Sequence, residues 1–394
     1  MVLTNKQEEG LRTAVARFKA REPWTCIAGY AGSGKSTLVK FIISALDVPP
    51  EEVCYVAYTG KAATVLRQKG CPNAMTAHKL LYWSRPTPSG KFVFQPRTSL
   101  DGPYRVVVVD EVSMLPKDMW ELLLSHRVYV LALGDPGQLP PIDKDKDNHV
   151  LDNPHVFLDE IMRQAQESEI IRLSMHVREG NPIETFEAVG DQVLIYKEHH
   201  MIDAMYEWAD QILCATNSKR FDINNKMREL RGYGPEPMIG DKIISLSNHW
   251  DISSDNGEWA LTNGTIGTLT DHSNELIYLP KFISTTPIEI MNASFDFADG
   301  EDSFTDLMLD YHKLKTNIGQ LTSRQSYQMN KCKTCPNAPL EFNYAYAITC
   351  HKAQGSEWDK VLVFEESFPY GAEHCNWLYT AATRAKNKLV IITQ

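Results

Sequence analysis

The sequence is poor in several features that would place it in other protein classes. It has no apolar run long enough to span a bilayer and no recognisable secretory signal peptide, so it predicts neither a membrane nor an exported protein. Basic residues are outnumbered: 40 Lys and Arg stand against 50 Asp and Glu, for a net charge of −10. That balance argues against non-specific coating of nucleic acid, but it leaves room for a local basic groove.

Cysteine is also scarce. Eight cysteines are scattered over 394 residues, which is typical of reduced thiols in a cytosolic protein. Only Cys332 and Cys335 have the spacing of metal ligands, and Cys350 and His351 are the nearest further candidates. A structural zinc site usually needs four ligands and there is no second C-x-x-C, so we expect two loop thiols here rather than zinc.

The most specific motif that is present runs from Gly29 to Ser36 and reads G-Y-A-G-S-G-K-S. The strand-like stretch Trp24–Ala28 precedes it and a helical pattern over 35–45 follows it. A strand that turns through glycines into a helix N-terminus presents backbone N–H groups and the positive end of a helix dipole to phosphate. In this pattern Lys35 reaches the β- and γ-phosphates and Ser36 ligates Mg²⁺. The alternative is a glycine-rich turn without a ligand. The predicted nucleotide contacts are Gly29, Ala31, Gly32, Ser33, Gly34, Lys35, Ser36 and Thr37.

Strand-like and helical patterns alternate around this motif, which is typical of a parallel sheet covered on both faces. Ligands of such sheets bind at the carboxyl ends of the strands. The β-branched run Val106–Val109 ends there in Asp110 and Glu111. We expect Asp110 to hold Mg²⁺ through water and Glu111 to orient and deprotonate the attacking water. In isolation a pair of solvated acids would be the better interpretation; the phosphate motif favours the site.

Two further polar residues extend this prediction. The next strand runs into a stiff loop, Gly134–Pro141, in which Gln138 could contact the γ-phosphate and the attacking water. Near the N-terminus, Gln7 could hydrogen-bond an adenine edge. The spacing Thr4-x-x-Gln7 is equally that of a helix capping box, and the sequence leaves both interpretations of Gln7 open.

Taken together, the motifs resemble those of superfamily 1 helicases, in particular the RecD/Dda type. The matching stretches follow the family's order over nearly the whole chain: the Gln7 segment, Gly29–Ser36, Ala57–Ala63, Thr76–Leu80, Asp110–Ser113, Gly134–Pro141, Met162–Gln164, Ala347–Gly355 and Leu378–Ala385.

The resemblance implies an α/β fold with two RecA-like P-loop NTPase lobes and ATP in the cleft between them. It also implies that Arg163 and Arg384 reach the γ-phosphate from the second lobe and that Gly355 lies in the nucleotide site. A planar guanidinium is suited to the charge that develops on phosphoryl oxygens. A surface salt bridge is the alternative for Arg163.

The domain organisation combines the patterns with the resemblance. We expect a first lobe over 1–150 with a β-hairpin insertion at 84–104, a second lobe over 151–240 and 343–394, and an SH3-like β-barrel inserted at 241–342. In relatives such a hairpin acts as a wedge at the duplex junction. Phe92 and Phe94 could stack on the last base pair or pack on the protein. The basic stretch Lys313–Lys333 could touch phosphates, but we expect a solvated loop.

The predicted function is that of an ATP-dependent DNA helicase that translocates 5′→3′ on single-stranded DNA. The implied partners are ATP, Mg²⁺, single-stranded and forked duplex DNA, and single-strand-binding or replication proteins. We expect a monomer in the cytoplasm of a bacterial cell or a phage-infected host. The predicted DNA contacts are Thr59, Lys61, Thr76, His78, Phe92, Phe94, Pro136, Thr349, His351 and Lys352.

Three alternatives stay open at this stage. His78 and His351 could be structural histidines. A translocase could displace bound proteins without unwinding duplexes, and a P-loop phosphotransferase could use the same loop on a small acceptor. A pure binding module would have no use for the Asp110–Glu111 pair.

Overall fold

The computed structural model describes residues 3–71, 73–86, 92–140, 147–162, 167–257, 259–297, 302–366 and 371–394. The chain divides into two units. The first comprises Met1–Tyr82, Pro96–Thr216 and Thr349–Gln394, and the second comprises Trp83–Gln95 and Asn217–Ile348. Within the described ranges, none of the helices combines the length and the apolar character needed to cross a bilayer.

The first unit contains two parallel sheets. The first sheet has six strands in the order Ala74–Thr76, Val53–Ala57, Val106–Val109, Tyr129–Gly134, Trp24–Gly29 and Val156–Leu158. Every pairing in it is parallel. The strand Val156–Leu158 lies beyond residue 150, so this sheet continues past the boundary that we expected for the first lobe.

Helices cover both faces of this sheet. They are Asn5–Lys19, Lys35–Leu46, Gly60–Gln68, Ala77–Leu81 and Lys117–Ser125, with single 3-10 turns at Pro50–Glu52 and Val112–Met114. Successive side chains of a strand point to opposite faces. Accordingly Val107 and Val109 belong to one buried cluster, and Val106 and Val108 to the other. The uninterrupted valine run therefore reflects a strand that is buried on both sides.

The second sheet lies in the later parts of the first unit. Four of its five strands, Gln211–Cys214, Trp358–Phe364, Ala385–Thr393 and Val193–Lys197, pair in that order, all in parallel. The accompanying helices and 3-10 turns are Glu169–Arg178, Ile183–Thr185, Glu198–His200, Asp203–Trp208, Cys350–Ala353 and Ala372–Ala382. Below, the first lobe denotes the first-unit residues up to 162, and the second lobe denotes 167–216 and 349–394.

The second unit is built around an antiparallel sheet of five strands. Their order is Ser303–Asp310, Ile288–Phe297, Ile266–Ile277, Lys242–Ser245 and Phe342–Tyr344. The rings of Phe295, Phe304 and Phe342 meet in its core, with centroids 5.2 and 5.7 Å from that of Phe295. The remaining elements near this sheet are Asn217–Leu230, Tyr311–Thr316, Ser323–Lys331 and the strand pair His249–Ser253 with Ala260–Leu261.

A further strand pair, Tyr82–Pro86 with Phe92–Pro96, lies where we expected the hairpin insertion. Residues 87–91 between the two strands are outside the described ranges. The strand Ala347–Thr349 leads from the second unit into the first.

The expectation of a loop at Lys313–Lys333 is wrong, because most of this stretch lies in two helices. The side chain of Asp310 accepts a hydrogen bond from the Lys313 N–H at 2.9 Å and caps one helix. A capping box formed by Thr322 and Gln325 begins the other. These caps satisfy N–H groups that a helix leaves open at its start, and they outweigh the weak apolar pattern that favoured a loop.

The expectation of two loop thiols at Cys332 and Cys335 is also wrong. The two cysteines form a disulfide, and their Cα atoms are 5.3 Å apart, within the usual range for such a bond. No group of three or more His, Cys, Asp or Glu side chains among the described residues could hold a metal ion. The spacing that allowed zinc therefore serves a local crosslink.

Candidate functional site

The phosphate loop Gly29–Ser36 joins a buried strand to the helix Lys35–Leu46. Gly32 and Gly34 have φ of 78° and 80°, which L side chains rarely adopt. A Cβ at Gly34 would lie 2.5 Å from Nε2 of Gln7. Gly34 caps the helix without a side-chain hydrogen bond, so the first N–H groups of the helix have no side-chain acceptor at the cap. This is the arrangement that receives an anion at a helix N-terminus.

The side chain of Lys35 folds back over the phosphate loop. Its Nζ donates to the carbonyl oxygens of Gly29 and Tyr30, the latter at 3.1 Å, and lies 3.9 Å from Oδ2 of Asp135. Ser36 is exposed and Thr37 half-buried in the first turn of the helix. The loop therefore brings a lysine, a hydroxyl and uncapped amides together, which fits a nucleoside triphosphate with Mg²⁺.

Gln7 is 1 % exposed and packs against the phosphate loop. It completes the capping box, since its Oε1 accepts from the Thr4 N–H at 3.1 Å. Its Nε2 donates to the Ser33 carbonyl oxygen at 3.1 Å and to Sδ of Met162 at 3.3 Å. The capping box is thus confirmed. An adenine edge would have to displace these partners, so a nucleotide contact by Gln7 stays a prediction.

Asp110 and Glu111 follow the strand Val106–Val109 at its carboxyl end. Glu111 has φ of 51°, an uncommon conformation for a residue other than glycine. Its N–H donates to Oδ1 of Asp110 at 3.1 Å. Burial raises the pKa of both carboxyl groups, and the charge of Asp110 raises the pKa of Glu111 further. A glutamate with a raised pKa is a better proton acceptor than an ordinary one, as general-base catalysis requires.

Gln138 and Arg384 are the polar groups that act on Glu111. Nε2 of Gln138 donates to Oε1 of Glu111 at 3.0 Å, and the charge of Arg384 lowers the pKa of Glu111, against the effect of burial. The Oε1 of Gln138 is buried and makes no hydrogen bond within the described part of the chain. An amide oxygen left in this way is suited to accept from a water molecule, the role that we predicted for Gln138.

Arg384 is 5 % exposed, and its donors are held by the second lobe itself. Nε donates to the Thr380 carbonyl oxygen at 3.0 Å and Nη1 to the Ser356 carbonyl oxygen at 3.3 Å. Nη2 donates to Oγ1 of Thr383 at 3.1 Å. These bonds fix the planar guanidinium, which reduces the entropy lost when it binds a further oxygen. The other predicted arginine, Arg163, lies outside the described residues.

The loop Gly134–Pro140, called the Asp135 loop below, is bound by the second lobe. Oγ1 of Thr380 accepts from the Leu139 N–H at 2.8 Å, and Nε2 of Gln354 donates to the Leu139 carbonyl oxygen at 2.9 Å. Nδ2 of Asn376 donates to the carbonyl oxygens of Gly137 and Gln138 at 3.0 and 3.1 Å. Gln138 therefore stands on a loop whose backbone is set by the opposite lobe.

Several residues of this site were missed by the sequence analysis. They are Asp135, Tyr379, Thr380, Asn376 and Arg178. The guanidinium of Arg178 lies 3.6 Å from the ring centroid of Tyr30 in the phosphate loop. Asp135, Tyr379 and Thr380 lie inside motifs named in the sequence analysis, whereas Asn376 and Arg178 do not, and a motif does not reveal which of its side chains touch each other.

Seven of the ten predicted DNA contacts fall into three groups. Thr59 and Thr76 cap short helices, and each hydroxyl accepts from a backbone N–H three residues on at 3.2 Å. Thr349 also precedes a short helix, without such a bond, and Pro136 is exposed. The side chains of Lys61, Phe92 and Phe94 lie outside the part of the chain that the structure describes.

The surroundings of His78 and His351 favour structural roles for these two histidines over DNA contacts. Burial lowers the pKa of His78 to about 4 and lowers that of His351. The ring of His78 packs 6.0 Å from that of Tyr58 and 5.8 Å from that of Tyr82. A neutral imidazole does not attract phosphate by charge. Gly355 has φ of 72°, and a Cβ at this position would lie 3.0 Å from Cβ of Ala62. Gly355 therefore packs against the first lobe. Its role in nucleotide binding stays a prediction.

Two family models match the chain. An AAA domain matches residues 3–202, and a UvrD-like helicase C-terminal domain matches residues 344–392. These matches include the phosphate loop and the acidic pair in one case and Arg384 in the other.

Curated relatives are similar over different lengths. The chain is 27% identical to the ATP-dependent RecD2 DNA helicase of Deinococcus radiodurans over 373 residues, 92% of this chain and 46% of that protein. It is 30% identical to the ATP-dependent DNA helicase dda of Enterobacteria phage T4 over 146 residues, 36% of this chain and 33% of that protein. The chain thus spans less than half the length of these two relatives in the matched regions.

Solved structures share the fold. A structure described as two coordinating Pif1 helicases at forked double-stranded DNA has a TM-score of 0.54 and 19% identity, covering 99% of this chain and 92% of that one. A Bacteroides Pif1 bound to single-stranded DNA has a TM-score of 0.53 and 17% identity, with the same coverage. These likenesses support a mixed α/β architecture with two RecA-like lobes, which correspond to the two parallel sheets of the first unit.

Proposed function

The chain belongs to the superfamily 1 helicases of the RecD type, and from that membership we propose that it is an ATP-dependent DNA helicase that moves 5′→3′ on single-stranded DNA. One observation carries the proposal: Glu111, the predicted base, is bonded to Gln138, and the loop that bears Gln138 is held by Gln354, Asn376 and Thr380 of the other lobe. Chemistry at the phosphate loop is therefore linked to the contact between two lobes.

Each residue has a distinct task in this mechanism. Lys35 and the loop amides bind the phosphates, and Ser36 with Asp110 would hold Mg²⁺. Glu111 takes a proton from the water that Gln138 orients. Arg384 stabilises the negative charge that develops on the transferred group. ATP supplies the phosphoryl group; hydrolysis would change the contact between the lobes and so the grip on the strand.

The proposal extends to the second unit and to the partners. We assign the five-stranded sheet of the second unit to an SH3-like barrel and the pair Tyr82–Pro86 with Phe92–Pro96 to a wedge at the duplex junction. Single-stranded and forked duplex DNA are the proposed substrates, and single-strand-binding or replication proteins the proposed partners, for a monomer in the cytoplasm of a bacterial or phage-infected cell.

Hydrolysis measured with three polymers tests this function. We expect ATP turnover by the purified chain to rise at least about tenfold with single-stranded DNA, and less with RNA or no polymer, because strand binding favours the closed cleft. Duplexes with a 5′ tail should be unwound and those with a 3′ tail should not. Stimulated turnover without unwinding would favour the protein-displacing translocase, and turnover indifferent to any polymer would contradict a nucleic-acid motor.

Arg384→Lys tests the contribution of the second lobe. Lysine keeps the charge but cannot present the planar fork of donors. We expect kcat for ATP hydrolysis to fall by about 10³-fold with little change in nucleotide affinity. Arg12→Lys, at an exposed arginine of the first helix, is the control and should keep the parent rate. A rate within twofold of the parent in Arg384→Lys would remove Arg384 from the chemistry.

A further inference from the structure

The hydroxyl group of Tyr379 connects the two lobes at the phosphate loop. Tyr379 lies in the second-lobe helix Ala372–Ala382 and is 1 % exposed. Its hydroxyl accepts a hydrogen bond from the Ala31 N–H at 2.7 Å and donates to Oδ2 of Asp135 at 2.7 Å. One atom of the second lobe thus touches both the phosphate loop and the Asp135 loop.

Asp135 gives this contact a fixed geometry. The carboxylate is 2 % exposed. Its Oδ1 accepts from the Gly137 N–H at 2.9 Å, while Nζ of Lys35 lies 3.9 Å from its Oδ2. The ring of Tyr379 fills the space beside Gly137, where a Cβ would come 3.0 Å from Cε1 of the ring. The hydroxyl is therefore held in place from the ring side and from the carboxylate side.

The Ala31 N–H is one of the amides with which such a loop surrounds phosphate. A single N–H group makes one well-aligned hydrogen bond. The tyrosine oxygen and a phosphate oxygen therefore compete for the proton of Ala31. Replacing the first by the second breaks the link between Tyr379 and the phosphate loop, so that Tyr379 and Asp135, which stay bonded to each other, can move together away from that loop.

We propose that Tyr379 is a positioning residue that reports nucleotide arrival: its hydroxyl holds the Ala31 amide until a phosphate oxygen replaces it. The change passes through Asp135 to the loop that carries Gln138, and Gln138 in turn holds Glu111. Helix Ala372–Ala382 moves with the Asp135 loop, because Asn376 of this helix is bonded to the same loop. This inference rests on the proposed function, since it presupposes a nucleotide at the phosphate loop, and it adds a competing residue to that site.

Tyr379→Phe isolates the hydroxyl, since the ring and its packing remain. Removing a competing hydrogen bond of ordinary net strength should tighten the binding of ADP and of a non-hydrolysable ATP analogue by about fivefold. The same variant should lose part of the polymer-stimulated kcat, because it has no hydroxyl link between the phosphate loop and the Asp135 loop for phosphate arrival to break. Tighter binding with slower turnover is a combination that a merely structural tyrosine does not produce.

A matched control exists in the second unit. The hydroxyl of Tyr346 donates to Oδ1 of Asp241 at 2.9 Å, also in a buried site. Tyr346→Phe should cost similar stability and leave nucleotide affinity unchanged. Unchanged or weaker nucleotide binding by Tyr379→Phe, or equal tightening in both variants, would overturn the role of Tyr379 alone. A parent protein that binds no nucleotide would overturn the proposed function and this inference together.

Hydrogen exchange gives a second readout that needs no catalysis. In the absence of nucleotide, the peptide containing Ala31 should exchange faster in Tyr379→Phe than in the parent, since the amide loses its partner. Equal exchange in the two proteins would show that the tyrosine does not hold this amide, and would overturn the inference even if the variant were less stable.

Discussion

Lys35→Ala is expected to abolish ATP hydrolysis, with kcat lowered by about 10³-fold or more. The variant removes the single cation that the loop places beside its own amides, and Nζ is already held there by the carbonyl oxygens of Gly29 and Tyr30. Charge that develops on the phosphoryl oxygens would then lack its nearest positive partner. The measurement is phosphate release from ATP at saturating Mg²⁺ and single-stranded DNA.

The control for this variant comes from the same helix. Lys40 lies in Lys35–Leu46 and is exposed, so Lys40→Ala removes an equal charge and leaves the loop intact. It should hydrolyse ATP like the parent. Normal turnover in Lys35→Ala would refute the assignment of the phosphate loop and with it the nucleotide site.

Glu111→Gln should lower kcat by about 10²- to 10⁴-fold while ATP still binds. The amide keeps the shape of the side chain and can still accept from Nε2 of Gln138, now 3.0 Å from the carboxylate oxygen. It cannot take a proton from water. We therefore expect a variant that stays on single-stranded DNA in the ATP-bound state, seen as a slow dissociation rate in a fluorescence assay.

Glu121→Gln, an exposed glutamate of the same lobe, is the control and should turn over like the parent. In the parent, hydrolysis should be lost on acidification at a higher pH than an ordinary glutamate would give, because burial raises the pKa of Glu111. A parent-like rate in Glu111→Gln would mean that another group is the base.

The same substitution should stabilise the protein measured without nucleotide. A folded-state pKa above the unfolded value contributes stability that is fully present below the unfolded pKa and is lost as the pH rises through the folded pKa. Glutamine does not ionise, so the variant does not lose this folding stability as the pH rises. Glu111→Gln should therefore melt at a higher temperature than the parent at pH 8, by a margin that shrinks towards pH 4.

Much of the nucleotide site was predictable from the sequence, because its residues follow strands. The glycine motif and the acidic pair each end a buried run, and parallel strands bring such ends to one edge of a sheet. The structure confirms the capping box of Gln7, one of two interpretations that the spacing allowed, and adds its bonds to Ser33 and Met162.

The contacts between lobes could not be predicted in the same way. Ala31 and Tyr379 are 348 positions apart and meet only through the packing of two sheets. Helices over 311–316 and 323–331 were missed because capping by Asp310 and Thr322, and not an apolar pattern, begins them. The disulfide of Cys332 and Cys335 was missed because the same spacing suits free thiols, a metal site or a crosslink.

Binding of ADP with aluminium fluoride, a mimic of the transferred phosphoryl group, tests most directly whether both lobes serve one nucleotide. The parent should bind this complex at least about a hundredfold more tightly than ADP alone, as transition-state mimics do. Arg384→Lys should keep the affinity for ADP and lose most of that difference. Equal preference for the mimic in the parent and in Arg384→Lys would contradict a site completed by the second lobe.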